Sequence, residues 1–296
     1  TQLIADIANY YYNLVALDQQ LAITESTVQN RIQGVETMKA LKASAVVNGA
    51  AVVQSEANRY AVEVTIPDLK RNIRETENII SILLARTAGP IQREKLSQQK
   101  PFLDIDTGVS TLLFRNRPDV QEAEFAFKVA FENTNIAYSY FYPSLSITAQ
   151  GGLSTLKLEN FFDKSLFYNL IDGLTQPIFS RGQNKTRYKI AQAQQQEALL
   201  GFQQTILNAG QEVSNALYAY QTALDKQRTR ANQIQSLEKA VDFTKELLRY
   251  SSATNYTDVL TSEQSLLAAQ LNSVNDQLQQ YQAVVNLYRA LGGGWK

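Results

Sequence analysis

The residue types on which most acid–base and nucleophilic catalysis depends are absent from this sequence. The chain of 296 residues contains no cysteine and no histidine. Their absence excludes thiol chemistry, histidine acid–base catalysis and the usual zinc sites. Aspartate and glutamate together number 28, but long helices carry many surface carboxylates, and no nucleophile–base pair can be assembled here. The sequence therefore predicts a protein that is not an enzyme, with no catalytic residue, metal site or cofactor.

The charge balance narrows the range of partners. Lysine and arginine number 28, equal to the 28 acidic residues, so the formal net charge is zero. Such a balance argues against a nucleic-acid partner held by a basic surface. No apolar run reaches the roughly 18 residues that a membrane-spanning helix needs. The chain starts inside a helical pattern without an initiator methionine or signal peptide, and we expect a mature or truncated fragment.

A helical hairpin occurs twice in the sequence, at an offset of 207 residues. Three matches share this offset without gaps: ALDQQ at 16–20 with ALDKQ at 223–227, AVVQSE at 51–56 with DVLTSE at 258–263, and Leu41 and Ser44 with Leu248 and Ser251. The duplication spans roughly residues 5–86 and 212–293. A repeat at this distance is not a short-period solenoid. It predicts two equivalent hairpins that pack side by side in a tubular or bundled arrangement.

The first copy of the hairpin has the pattern of helices wound around neighbours. Apolar residues between Leu3 and Val28 follow one another at alternating spacings of four and three, which is typical of such helices. We predict a first helix to about residue 46 and a break at Asn48–Gly49. A second helix should run over about 51–88, with a kink at Pro67 because proline removes one backbone hydrogen bond.

The remaining helices are predicted from similar signals. Gly89–Pro90 should end the second helix, and residues 91–104 should form an extended linker before a short helix at 105–114. Pro118 and Asp119 should open a helix to about residue 140, because proline suits a first helical turn and aspartate suits the positive helix end. A very long helix is predicted over 183–250, a reversal at 251–257 and a final helix to Leu291.

Two segments in the middle of the chain change from helical to strand periodicity. From Leu145 to Leu153, apolar and small residues alternate with polar ones, as in a strand with one polar face. A second strand is predicted over about 167–179, although Asp172 interrupts its apolar face. Aromatic residues collect around both strands, and the polar loop between them carries Phe161 and Phe162. Two readings are open: a soluble hairpin packed on a helix, or strands of an outer-membrane barrel with aromatic girdles.

Four motifs resemble those of a known family. They are RPDV at 117–120, FYPSLS at 141–146, PIFSRG at 177–182 and LYRALGGGW at 287–295. In this order and approximate spacing, they resemble the TolC-like outer-membrane factors of tripartite efflux pumps, and most closely the outer-membrane lipoproteins that work with pumps of the resistance-nodulation-division type. The resemblance covers essentially the whole chain.

The resemblance implies a mainly α fold, internally duplicated, in which long antiparallel helical hairpins form a coiled-coil-like tunnel. An inserted β-hairpin would belong to an outer-membrane β-barrel. We divide the chain into a first helical hairpin (1–90), a linker with lead-in helices (91–142), the β-hairpin (143–180) and a second helical hairpin (181–296). In the family, each protomer of a trimer gives four strands to a twelve-stranded barrel. The first strand pair, the helix before it and a lipid-carrying cysteine have no counterpart here, so we expect no closed barrel from this chain alone.

The resemblance also assigns candidate functional residues. Asp258 falls where family members place an acidic residue at the closed periplasmic aperture, although an aspartate at a helix start is also a common cap. Thr261 falls where another family acid is found, and Ala51 is the uncharged counterpart of Asp258 in the first hairpin. Arg117, Pro118 and Asp119 look structural, as a helix start near the junction of barrel and tunnel. If the apolar residues of the first strand face lipid, four polar ones face the lumen: Ser144, Ser146, Thr148 and Gln150.

The resemblance implies a passive export duct rather than a pump. The expected location is the outer membrane of a Gram-negative bacterium, with helices extending into the periplasm. Expected partners are two further copies in a homotrimer, a periplasmic adaptor protein that grips the helical tips, an inner-membrane pump and outer-membrane lipid, with no nucleic acid. The alternative from another class is a soluble coiled-coil scaffold or an adhesin-like structural protein.

Overall fold

The computed structural model of the chain describes residues 1–99, 116–154, 166–250 and 256–293. It divides into one unit of Thr1–Arg117 with Ala209–Lys296, and a second unit of Pro118–Asn208. Among the residues it describes, none of the helices combines the length and apolar character needed to traverse a membrane. Several predicted features lie outside these ranges: the short helix at 105–114, the loop carrying Phe161 and Phe162, residues 251–255 of the reversal, and Trp295.

The first hairpin is built from three helices. α1 (Gln2–Ala43) leads to the tip, and α2 (Gly49–Glu63) and α3 (Thr65–Leu83) return along it. The helix is broken over residues 44–48, next to the predicted break at Asn48–Gly49, and Asn48 is the N-cap of α2 while Gly49 is its first residue. α1 packs against both returning helices, with Leu14, Ile73 and Ile80 in one buried cluster.

Pro67 interrupts the returning arm as predicted. The helix lapses at Val64, between α2 and α3, and Pro67 stands third in α3. A proline ring clashes with the carbonyl group four residues before it, which here belongs to Glu63, the last residue of α2. The interruption therefore lies one turn before the proline that causes it.

Three helices end in the same type of left-handed turn. Ala45, Ala85 and Gly292, which follow α1, α3 and α6 (Tyr256–Ala290), have φ of 60°, 53° and 81°. At each end, the amide of that residue bonds to the carbonyl three residues earlier, and the next amide bonds to the carbonyl five residues before it. These bonds satisfy carbonyls that a helix end leaves open. α3 consequently ends at Leu83, well before the predicted residue 88.

The second hairpin contains α5 (Gln183–Tyr250), with the predicted bounds, and α6. α6 runs without interruption through Val274, the residue that aligns with Pro67. Its C-terminal part packs on α5 through Val213, Ala216 and Leu287. α6 also packs on α1, so the two copies of the hairpin lie side by side in the first unit, as the duplication predicts.

Residues 91–99 cross the first unit in an extended conformation with a short 3-10 helix, Leu96–Gln98. We call this segment the strap. Leu96 is buried in a cluster with Val15 of α1 and Val274 of α6. The Tyr281 hydroxyl of α6 donates to the Gln99 carbonyl at 2.7 Å. Residues 91–99 of the predicted linker are thus packed against both hairpins, and residues 100–104 lie outside the described ranges.

The second unit contains α4 (Pro118–Ser139), the β-hairpin and the beginning of α5. β1 (Ser144–Leu153) and β2 (Leu166–Thr175) form an antiparallel pair. β2 ends four residues before the predicted 179, and Pro177, which has no N–H to donate to a neighbouring strand, lies just beyond it. α4 packs on α5, since Thr134 Oγ1 donates to the Ala191 carbonyl at 3.2 Å.

Candidate functional site

Equivalent residues of the two hairpins meet near their tips. Met38, Val52, Leu248 and Val259 form one buried cluster, with Leu41 and Tyr256 against it. Val52 aligns with Val259, and Leu41 with Leu248, at the offset of 207 residues. Each hairpin also has a lysine–glutamate pair between its helices here, Lys39–Glu56 at 3.7 Å and Lys245–Glu263 at 2.8 Å. The duplicated sequence therefore produces a shared core at the tips.

Asp258, Thr261 and Ala51 all lie close to this core. Asp258 is the third residue of α6, and its side chain is exposed. Ala51 has the equivalent position in the first hairpin, as the third residue of α2. Thr261 is exposed, and its hydroxyl donates to the Thr257 carbonyl at 2.9 Å. In the first hairpin the cap is Asn48, whose Oδ1 accepts from the Ala51 amide at 3.1 Å.

The position of Asp258 helps to distinguish the two roles considered for it, a pore residue and a helix cap. As the third residue of α6, it stands inside the helix rather than at the N-cap. By the offset, the residue corresponding to the cap Asn48 is Asn255, which lies outside the described ranges. A carboxylate in the first turn still interacts favourably with the positive end of the helix. The assignment of Asp258, Thr261 and Ala51 to a pore stays a prediction.

A cavity of about 300 Å³ lies between the hairpins beside the tip core, lined by Arg31, Asn58, Lys245 and Glu263 among others. Arg31 is buried, and its Nη1 donates to the Asn58 carbonyl at 2.5 Å. No carboxylate of the described residues pairs with Arg31. The guanidinium thus joins α1 to the backbone of α2. Sequence patterns do not reveal this residue, because an arginine among the polar residues of a long helix carries no signal of burial.

The strap is fixed by a cluster of charged residues that the sequence analysis also missed. Arg93 binds both carboxylate oxygens of Asp18 in α1, with Nη2 at 2.9 Å from Oδ1 and Nε on Oδ2. Its Nη1 lies 2.6 Å from Glu77 Oε1 in α3, and Arg74 approaches Glu77 Oε2 at 3.3 Å. Burial by itself would raise the pKa of Glu77, but the hydrogen bonds from Arg93 and Arg74 bring this pKa below its ordinary value of 4.5.

The register of the β-hairpin sorts its side chains onto two faces. Directly paired residues share a face in an antiparallel sheet. Ser144, Ser146, Thr148 and Gln150 pair with Thr175, Gly173, Ile171 and Asn169, so the four proposed lumen residues lie together on a mostly polar face. The other face carries Leu145, Ile147 and Ala149 opposite Leu174, Asp172 and Leu170. Both faces are exposed in the chain, and Asp172 lies on the apolar face, as the sequence indicates.

Arg117 is buried where α4 is about to begin. Its Nη1 donates to the Ala290 carbonyl at 3.1 Å and lies 2.9 Å from Glu212 Oε2. Ala290 is the last residue of α6, so Arg117 places a positive charge at the negative end of that helix. Pro118 and Asp119 form the first turn of α4, with Pro118 as its first residue. This arrangement is consistent with the structural role predicted for all three.

Residues 109–293 match the family model described as outer membrane efflux protein. The chain belongs to this family. It is 27% identical over 299 residues to the cation efflux system protein CusC of Escherichia coli O157:H7, covering 99% of the chain and 64% of that protein. It is 30% identical over 300 residues to the pyoverdine export outer membrane protein OpmQ of Pseudomonas putida, covering 99% of the chain and 62% of that protein. The chain therefore spans somewhat under two thirds of the length of these relatives.

A solved structure has the same fold. The outer membrane protein VceC of Vibrio cholerae superposes with a TM-score of 0.89 at 23% identity, covering 100% of this chain and 71% of that one. The predicted family and fold class are confirmed by these matches. The family description concerns efflux and not catalysis, which agrees with the prediction that the chain is not an enzyme. Among the described residues, no group of three or more acidic side chains could hold a metal ion.

Proposed function

We propose that the full-length protein is the outer-membrane channel subunit of a tripartite efflux pump. It would form a passive duct through the periplasm and the outer membrane of a Gram-negative bacterium. The helical hairpins would contribute to the periplasmic tunnel, and β1 and β2 would contribute to a transmembrane barrel. Membership of the outer membrane efflux protein family supports this function.

The observation that carries the proposal is the division of the β-hairpin into two exposed faces. One face holds Ser144, Ser146, Thr148 and Gln150, and the other holds Leu145 and Ile147 opposite Leu174 and Asp172. Leu145, Ile147 and Leu174 are 67%, 67% and 73% exposed, although leucine and isoleucine are usually buried in soluble proteins. Strands of membrane barrels alternate in this way between lipid and a polar interior. The exposed apolar face favours this function over a soluble scaffold or adhesin.

The proposed assembly is a homotrimer with an adaptor protein at the helical tips and an inner-membrane pump as the source of energy. Outer-membrane lipid would surround the barrel. The names of the two relatives concern cargoes as different as cations and pyoverdine. We therefore propose that the duct passes its cargo through a polar lumen without selective binding, and that the pump selects the substrate.

Two measurements on the purified full-length protein test the function. We expect a trimer that needs detergent for solubility and that forms ion-conducting pores in planar lipid bilayers. Deletion of the gene should remove the outer-membrane step of efflux without affecting the inner-membrane pump. A monomer that is soluble without detergent, has no affinity for lipid and gives no conductance would contradict the channel and favour the scaffold.

A further inference from the structure

The end of the β-hairpin that adjoins the helices carries charge of one sign. Residues 133–143, which lead into β1, and residues 173–196, which leave β2, contain no aspartate or glutamate. They contain four basic residues, Arg181, Lys185, Arg187 and Lys189, and all four are exposed. Among the described residues, no carboxylate pairs with any of them. This concentration of positive charge contrasts with the balanced charge of the whole chain.

The position of these residues at the start of α5 does not explain why they are basic. Lys185 and Arg187 are the third and fifth residues of α5, near the positive end of its dipole, where basic side chains are unfavourable. The first turn of α5 contains no acidic residue that could offset them. Lys185 and Lys189 are four residues apart and so project from the same side of the helix. A ligand with negative charge would remove the repulsion.

Aromatic rings lie beside the basic residues. Tyr138, Phe141, Tyr142 and Tyr188 form a cluster with ring centroids 5.7–6.1 Å apart. The Arg187 guanidinium lies 4.1 Å from the centroid of the Tyr140 ring. Tyr138, Tyr140, Phe141 and Tyr142 remain 42–59% exposed. Tyrosine has an apolar ring and a polar hydroxyl, which suits it to the boundary between hydrocarbon and water.

An open groove of about 720 Å³ joins the two features. Its apolar wall includes Phe141, Ile178 and Phe179, and Arg181 and Lys185 line it as well. Ile178 and Phe179 are 82% and 94% exposed. The sheet ends beside the groove, and Leu145 and Leu174 of its apolar face are the second pair from this end of the ladder. The apolar strand face, the aromatic cluster and the basic residues therefore lie next to one another at this end of the β-hairpin.

We propose that this surface, formed by Tyr140, Phe141, Ile178, Phe179, Arg181, Lys185 and Lys189, binds anionic phospholipid of the leaflet that faces the periplasm. The phosphate and the net negative headgroup would lie against Arg181, Lys185 and Lys189. The acyl chain would pack on Ile178 and Phe179 and continue along the apolar face of β1 and β2. The inference rests on the proposed membrane position of the hairpin.

Charge and apolar character together favour lipid over other anionic partners. A nucleic acid or an acidic peptide would satisfy the basic residues, but neither would cover Ile178, Phe179 and the apolar strand face beyond them. A zwitterionic lipid would cover the apolar residues but carries no net charge for the basic ones. Anionic phospholipid matches both, and basic clusters beside a membrane surface attract such lipids.

The test uses the delipidated full-length protein in neutral detergent. Native mass spectrometry would count bound dioleoylphosphatidylglycerol and dioleoylphosphatidylcholine at equal concentrations, for the wild type and for the triple variant Arg181→Gln, Lys185→Gln, Lys189→Gln. The matched control is Lys226→Gln, Arg228→Gln, Lys239→Gln, which removes the same charge from exposed positions of α5, the helix that carries Lys185 and Lys189. Each basic residue near an anionic surface contributes about a five-fold factor in binding.

We expect the wild type to prefer phosphatidylglycerol, and the triple variant to lose this preference by about ten-fold or more. The control variant should keep the preference, and higher salt should weaken it in the wild type. Equal binding of both lipids by the wild type, or an equal loss of preference in the control variant, would overturn the inference. Conductance retained in planar bilayers would show that the proposed channel function still holds in that case. Absence of bilayer insertion in every lipid would overturn the proposed function and this inference together.

Discussion

Asp258 is the residue that we propose to contribute charge at the periplasmic end of the pore. It is exposed at the third position of α6, and a trimer would bring three such carboxylates to the tip if this end lines the pore. Like charges at close range attract cations and resist anions. We expect Asp258→Asn in the full-length trimer to weaken cation selectivity and block by multivalent cations. Recordings of single channels in planar bilayers would measure both.

Two further variants separate a pore residue from a purely structural one. Asp258→Ala should change selectivity as much as Asp258→Asn, with a stability loss of only about 0.3–1 kcal/mol from the charge–dipole interaction. Ala51→Asp would place a second ring of charges at the equivalent position of α2 and should strengthen cation block. Unchanged selectivity in all three variants, with lower thermal stability for Asp258→Ala, would leave Asp258 as a stabiliser of the helix start.

Arg93 fixes the strap to two helices of the first hairpin. Its side chain is 17% exposed, and those of its partners Asp18 and Glu77 are 37% and 8% exposed. Removal of Arg93 leaves Asp18 without this partner and Glu77 with only the exposed Arg74, and breaking a largely buried ion pair is destabilising. We expect Arg93→Met to lower the free energy of unfolding by about 2–3 kcal/mol. Arg74→Met, which removes a 54% exposed partner of the same Glu77, should cost less than about 1 kcal/mol. Chemical denaturation would compare them, and equal losses would contradict the role of Arg93.

The same cluster makes stability depend on pH in a defined direction. Hydrogen bonds from Arg93 and Arg74 outweigh the effect of burial and hold the pKa of Glu77 below 4.5. A carboxylate with a lowered pKa stabilises the fold above its unfolded pKa, and this contribution is lost as the pH falls through the folded pKa. The stability difference between the wild type and Glu77→Gln should therefore be constant near neutrality and shrink below about pH 4.5. A difference that grows on acidification would contradict this reading.

Residues of this kind could not be found from the sequence. Arg93 joins Asp18 and Glu77, which are 75 and 16 positions away in the chain, and no local pattern relates them. Asp258 and Thr261 were assigned only through the family resemblance and the repeat, and their role stays a prediction. Asn48 was recognised as a breaker of helices, but its role as a cap depends on which side of it the helix lies. Single residues thus needed the structure, whereas motifs did not.

The break between α2 and α3 allows a test of whether Pro67 interrupts the helix. Pro67 has no N–H, whereas the aligned Val274 stands in an uninterrupted helix. We expect Pro67→Val to restore the helix through Val64 and slow hydrogen exchange of the amides around it. The free energy of unfolding should rise where this straightening is tolerated. A break that persists in the variant would show that packing on α1 bends this arm.

Helix and strand positions followed from the sequence better than their ends did. The breaks on either side predicted α5 with its bounds, and the alternation of residues predicted β1 with its two faces. The ends of α1 and α3 were predicted too late, because Ala45 and Ala85 take the left-handed conformation that sequence reasoning reserves for glycine. The end of β2 depended on pairing with β1, which stops at Ser144 opposite Thr175. Ends are set by local hydrogen bonds and pairing, and these leave weak traces in the sequence.

The two faces of the β-hairpin predict opposite outcomes for neighbouring substitutions. Ile147 lies on the apolar face and Thr148 on the polar face of the same strand. A lysine that faces lipid near the bilayer midplane costs about 2–4 kcal/mol, whereas one that faces the lumen alters selectivity. In the full-length protein, Ile147→Lys should reduce the amount of folded protein in the outer membrane. Thr148→Lys should fold normally and shift single-channel selectivity towards anions. A reversal of the two phenotypes would exchange the lumen and lipid faces.

The internal duplication describes the molecule at the largest scale. The offset of 207 residues predicted two equivalent hairpins in contact, and α1 and α6 do pack together in one unit. It could not predict the strap, whose residues 91–99 lie between the copies and have no counterpart in the alignment. It also could not predict that Pro67 would divide one hairpin into separate helices where the other has a continuous α6. The repeat therefore accounts for the shared core, whereas the strap and the break at Pro67 arise from sequence that the two copies do not share.

The shared core at the tips gives a final test of this equivalence. Val52 and Val259 occupy the same position in the two copies, are 8% and 3% exposed, and belong to one buried cluster. Each valine to alanine change should cost about 2 kcal/mol from lost burial and the cavity left behind. Because the two sites lie in one cluster, the double variant should deviate from additivity by at least about 0.5 kcal/mol. Val53→Ala, at a neighbouring position that is 65% exposed, should change stability by less than about 0.5 kcal/mol. Unequal losses for Val52 and Val259 with strict additivity would mean that the two hairpins are stabilised independently and that their sequence equivalence does not extend to their packing.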